Sequence, residues 1–118
     1  MKAGEFTAES KELMSQRCCG ECEVCWPNVC MQTVEAYHHR RPRGRGGSRL
    51  ESTSQASNGL GICRGCHSFI ETRERGRAIE LGFIVSQWGE PAQVPVFYRH
   101  EFWALLGDDG SVIREVAA

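Results

Sequence analysis

Two adjacent imidazoles, His38 and His39, run straight into Arg40-Arg41-Pro42-Arg43-Gly44-Arg45-Gly46-Gly47. Downstream stands Ser57-Asn58-Gly59-Leu60-Gly61-Ile62-Cys63-Arg64-Gly65-Cys66-His67, with Glu71 four residues beyond His67. On a helix that four-residue step puts His67 and Glu71 on one face, so both can ligate one divalent ion. The His38-His39 pair falls on or just after a short strand, where successive side chains point to opposite faces. Only one of the two can join that ion, and the other is free to act as a base. A histidine titrates near neutral pH and can take a proton from water. A divalent ion polarises a phosphodiester and stabilises its leaving oxygen. Histidines with a metal, set among arginines, are the groups that phosphodiester hydrolysis requires. Each has a plainer alternative: a structural histidine, an Asn58-Gly59 turn pair, or a solvated Glu71.

A second set of residues has metal spacing. Cys22-x-x-Cys25 and Cys63-x-x-Cys66 have the layout of a four-thiolate structural zinc site, with no coordination position left for water. Cys19-x-x-Cys22 offers another register for the first pair, and Cys18, Cys19 and Cys30 are left over. Seven cysteines in a cytoplasmic chain point to metal rather than disulfides, and the odd count argues against a purely paired framework.

Those residues must be positioned by a small scaffold. The chain has 118 residues, enough for one domain with a modest core that gains from a metal staple. Residues 1–17 read as a polar leader, with a short helix over 9–16. Residues 18–118 read as a single domain, with a motif core over 18–75 and an extension over 76–118. Short strands are expected at 33–38 and 60–62, helices at 64–74 and 75–81, and a long Gly/Arg/Ser loop at 40–58. In the extension, 82–85, 94–98 and 112–113 are β-prone, and 101–106 reads as a turn of helix. Trp26, Trp88, Trp103, Phe97 and Phe102 read as core residues.

The formal net charge of −1 conceals an asymmetry, for residues 40–77 hold nine arginines against Glu51, Glu71 and Glu74. Such a segment suggests a polyanion-binding face, and arginine is the better bidentate phosphate ligand. Arg40, Arg41, Arg43, Arg45, Arg49 and Arg64 are the candidate nucleic-acid contacts. No apolar run approaches the roughly 20 residues that span a bilayer, and residues 1–16 lack the apolar centre of a signal peptide. A cytoplasmic protein with no membrane association is expected.

In order, Cys22-x-x-Cys25, His38-His39-Arg40-Arg41-Pro42, Gly46-Gly47, Asn58 and Cys63-x-x-Cys66-His67 resemble the HNH endonucleases of the ββα-metal type, in their cysteine-containing phage and actinobacterial branch. The nine-residue step from Asn58 to His67 and the four-residue step to Glu71 are similar to the layout of colicin-type nucleases, where the last position is a histidine. The resemblance covers about residues 18–75, and less specifically the tail. It implies an α+β fold: a small ββα-metal (His-Me finger) motif with a zinc knuckle and a short C-terminal β extension. It implies that His38 and His67 are ligands of a catalytic divalent ion (Mg2+, Mn2+ or similar), distinct from the structural Zn2+. His39 would be the general base, and Asn58 the residue positioning base and loop. The implied activity is metal-dependent DNA cleavage leaving 5′-phosphate and 3′-hydroxyl ends, with weak sequence preference. The implied setting is a phage or prophage, beside terminase in DNA packaging. The competing reading is a non-catalytic zinc-stabilised module that binds nucleic acid or belongs to a packaging complex.

Overall fold

Thr7 starts the first helix of the computed structural model, which describes residues 3–44 and 50–115. Its Oγ1 accepts the Ser10 N–H at 3.0 Å, satisfying one of the free donors of a helix start. Helix α1 spans Ala8–Cys18 and ends at Cys19, whose φ of 54° is left-handed. It is longer than the helix expected over 9–16, and it packs on the segment Gly59–Ile62 and the turn before it. Met14 and Cys18 are buried, and a side chain at Gly59 would collide with Met14 Sδ. Arg17 secures the contact: it forms a two-pronged ion pair with fully buried Glu23, at 2.7 and 2.9 Å, and donates to the carbonyls of Ala56 and Gly59. Tyr98 Oη and the Gly61 N–H complete the bonding of that carboxylate, so the buried charge is paired and hydrogen-bonded.

Strand β1 (Ala36–His39) pairs antiparallel with β2 (Gly59–Ile62), placing His38 opposite Leu60 and His39 opposite Gly59. Helix α2 (Arg64–Ser68) follows β2 directly, capped by Cys63, and continues as a π-helical turn over Phe69–Arg73. Helix α3 spans Arg75–Glu80. The helical stretch expected over 64–74 is thus bent into a wider turn at Glu71; such π segments occur often at functional sites.

The extension departs from expectation at two places. Residues 82–85 form no strand. Gly82 turns the chain at φ 78°, and the N–H groups of Phe83 and Ile84 bond back to the Ala78 carbonyl. The apolar run closes α3 and plants Phe83 in the core. Residues 102–106 are a strand, not a helical turn. Strands β3 (Val96–Tyr98), β4 (Phe102–Leu106) and β5 (Val112–Arg114) form an antiparallel sheet in that order. The turn joining β3 to β4 places Arg99 and His100 at positive φ (55° and 53°). That is hairpin geometry without the Asn-Gly or Asp-Gly signal that announces it.

The core gathers Leu60, Ile62, Ile70, Ala78, Phe83, Val96, Ala104 and Leu106 between the two sheets and the helices. Trp26, Phe97 and Phe102 pack partly buried against it. Trp88, expected inside, is 93% exposed, and Trp103 is 38% exposed. The architecture is α+β: two small sheets and short helices around a main core, with a smaller apolar cluster of Phe6, Met14 and Ala56 beside it. Among the described residues, no helix is long and apolar enough to cross a membrane.

Candidate metal centres and active site

Cys22 lies in the turn after α1, and Cys63 and Cys66 form the cap and first turn of α2. Together with Cys30 they hold four sulfurs within 4.8 Å of one another. Cys30 is the correction to the expected set, which had Cys25 as fourth ligand. Cys25 sits at φ 51° and turns its thiol to the Cys22 carbonyl at 3.0 Å. Burial, then the neighbouring Cys30 and Cys22, push that thiol up to about 12.

The four clustered sulfurs fit a tetrahedral zinc. Backbone N–H groups aim at each of them: Cys63 N at Cys22 (3.4 Å), Gln32 N at Cys30 (3.3 Å), Met31 N and Cys66 N at Cys63 (3.2 and 3.3 Å), and Trp26 N at Cys66 (3.4 Å). Such donors favour thiolate over thiol. The Cys66 hydrogen bond draws Cys22 down to about 4, while Cys66 itself is raised, first by Cys22 and then by burial. Sulfurs this close cannot all be charged unless a cation neutralises them.

The second cluster contains His38, His67 and Glu71, whose donor atoms also lie within 4.8 Å of one another. His38 is 5% exposed, and its Nε2–H donates to the Phe83 carbonyl at 2.9 Å. A carbonyl can only accept, so the neutral ring keeps its lone pair on Nδ1. That atom faces Glu71 Oε1 at 3.8 Å. A backbone carbonyl fixing the tautomer of a ligand histidine is a common second partner at metal sites. Burial pulls His38 down to about 3, which keeps the imidazole neutral. His67 Nε2 stands 3.0 Å from Glu71 Oε1, and the two imidazoles meet edge to face at 5.1 Å. Two nitrogens and one carboxylate suit a divalent ion with coordination positions left open, unlike the closed thiolate cluster.

His38, His39, His67 and Glu71 line one cleft of about 270 Å³ with Tyr37, Pro42, Arg75 and Ile84. His39 leaves β1 on the face opposite His38. Its ring stacks on Phe6 (3.9 Å between centroids, 11° between planes), and its Nε2–H donates to the Gly4 carbonyl at 2.7 Å. Burial lowers its pKa. Asn58, fully buried, accepts the Arg41 N–H at 2.6 Å through Oδ1. Its Nδ2 donates to the carbonyls of Arg41 and Thr53 at 3.1 and 2.9 Å. It thereby holds the chain immediately after His39 to the turn before β2.

The arginines divide in a way the sequence did not indicate. Arg40 and Arg41, expected on phosphate, are buried at 0% and 2% exposure. Arg40 donates to the carbonyls of Gly82, Ser57, Pro91 and Val94. Arg41 donates to the Gly89 carbonyl, Glu90, Ser52 and Thr53. Both are internal ties between the end of β1 and the extension, with no donor face left for DNA. Arg43 is half-buried and donates to the Ala3 carbonyl at 3.3 Å, while Arg64 is 76% exposed. Arg45 and Arg49 lie outside the described residues. Arg75, exposed on the cleft wall, was missed as a site residue; its only signal was membership of the arginine-rich segment. Gly4 and Phe6 carried none.

Compared with known proteins, the chain matches no family model, no curated protein and no solved structure.

Proposed function

We propose that the chain is a metal-dependent DNA endonuclease of the HNH kind. The observation that carries this reading is the convergence of the His38, His67 and Glu71 donors in the cleft that His39 also lines. The order β1, β2, α2 supports a ββα-metal arrangement, with His38 from the first strand and His67 and Glu71 from the helix after the second. His38, His67 and Glu71 would hold a divalent ion, which would supply polarisation of the scissile phosphate and stabilisation of the leaving 3′ oxygen. His39 takes the proton from the attacking water at Nδ1, since its Nε2 carries the hydrogen bonded to Gly4. Asn58 fixes the peptide that follows the base. Arg75 presents a guanidinium to the DNA backbone at the cleft wall. Attack on the phosphorus from the side opposite the 3′ oxygen leaves a 5′-phosphate and a 3′-hydroxyl.

Cys22, Cys30, Cys63 and Cys66 would hold a structural Zn2+, which would tie the turn after α1 to the start of α2 and brace the helix that carries His67. The phage setting and the terminase partner follow from the resemblance alone. The test is supercoiled-plasmid cleavage by the zinc-loaded chain. Nicked or linear DNA should form with added Mg2+ or Mn2+, and not without it or with His67→Ala. Intact plasmid under all divalent ions would leave the zinc-stabilised binding module as the reading.

A further inference from the structure

We propose that the segment Gly4–Phe6, ahead of α1 and outside the motif, positions His39 as the base; this rests on the nuclease reading above. Two contacts of different kinds meet on one imidazole. The Gly4 carbonyl accepts from Nε2 at 2.7 Å, which assigns the proton to Nε2 and the lone pair to Nδ1. The Phe6 ring lies parallel to the imidazole at 3.9 Å, which sets the plane in which that lone pair points. Holding a reacting group in one orientation contributes to rate by removing the entropy of finding it.

The segment is built to hold that position. Phe6 is 5% exposed and sits in an apolar cluster with Met14 and Ala56. The cap of α1 at Thr7 follows at once. The Ala3 carbonyl accepts from Arg43 Nε, four residues past the base, so the two strands of chain are tied on both sides of the ring. Gly4 itself is at φ 88°, a left-handed conformation that a branched residue adopts only with strain. The carbonyl is therefore aimed by a residue whose replacement would turn it away.

The test uses the full chain, zinc-loaded, with two variants that act on different contacts. Gly4→Val displaces the carbonyl, and Phe6→Leu removes the stacked ring while keeping an apolar side chain in the cluster. Nitrogen-15 NMR of the histidine rings, with His39 assigned by comparison with His39→Ala, should show the Nε2–H tautomer in the wild type and a mixture in Gly4→Val. Plasmid cleavage should show kcat lowered about 10- to 100-fold in both variants, with KM for DNA unchanged. Phe6→Tyr should restore kcat. An Nδ1–H tautomer in the wild type, or one unmoved by Gly4→Val, would overturn the proposal. So would a kcat equal to or above wild type in both variants, the latter meaning that the segment covers the base and inhibits it. If the wild type cleaves no DNA, the nuclease reading fails, while the NMR measurement still decides whether Gly4 fixes the ring.

Discussion

Asn58 and the Arg41 peptide hold each other through two hydrogen bonds, Arg41 N–H to Oδ1 and Nδ2 to the Arg41 carbonyl. The pair is buried, and a third bond ties Asn58 to the Thr53 carbonyl. Removing the amide takes both hydrogen bonds from the buried Arg41 peptide and one from the Thr53 carbonyl. Asn58→Ala should cost about 2–4 kcal/mol of stability, the sum expected for buried groups left without partners. Urea unfolding should show the lower midpoint, and Asn58→Asp, which keeps the acceptor but loses both donors, should also be destabilised.

Cys30 rather than Cys25 completes the four-sulfur cluster. Cys30→Ser should therefore lose zinc and cooperative unfolding together, because structural zinc binding is coupled to folding. Cys25→Ser should retain about one zinc per chain. Metal analysis of the two purified variants checks this, and the reverse pattern would restore Cys25 as the ligand.

The buried and exposed arginines should behave as two classes. Arg40→Ala strands the carbonyls of Gly82, Ser57 and Val94 and takes one of two donors from that of Pro91, and should cost about 3 kcal/mol or more. Arg40→Lys should not rescue it, since an ammonium lacks the guanidinium fork. Arg64→Ala and Arg75→Ala should leave stability nearly unchanged and weaken DNA binding at all sequences, with a shallower dependence on salt. Thermal melts and DNA affinity at several salt concentrations separate the classes.

These contrasts show which part of the site the sequence carried. The placing of His38 and His39 on opposite faces follows from the two-residue period of a strand, and the four-residue helical step brings His67 to Glu71 even though Glu71 lies in the π-helical turn, so local spacing sufficed. Cys25 and Cys30 are separated by backbone conformation, a left-handed residue at Cys25, which an x-x spacing does not encode. Arg40 and Arg41 look like surface charge because their carbonyl partners lie up to 54 residues away. β4 does not announce itself as a strand because its hairpin turn uses Arg99 and His100, and the role of residues 4–6 arises only when the chain folds back on β1.

Buried, neutral His38 should make stability depend on pH. Its pKa is about 3 in the folded chain against about 6.5 unfolded. Above pH 6.5 neither state binds the proton and His38 contributes no slope. Below it only the unfolded state does, so stability should fall by up to about 1.4 kcal/mol per pH unit between pH 6.5 and 3. Urea midpoints from pH 7.5 to 5, without added divalent ion, should show this decline, and His38→Gln should reduce it, the remaining slope including that of His39, whose pKa burial also lowers.

The most direct test of the central claim is a divalent-metal titration of plasmid cleavage by three variants. His38→Ala and His67→Ala should need more metal and recover part of their activity as it is raised, because each loses a ligand. His39→Ala should lose on the order of 10²- to 10⁴-fold in rate at every metal concentration, with DNA binding intact. Metal rescue of His39→Ala but not of His38→Ala would exchange their roles, and wild-type cleavage by all three would contradict the assignment of this cleft as a nuclease active site.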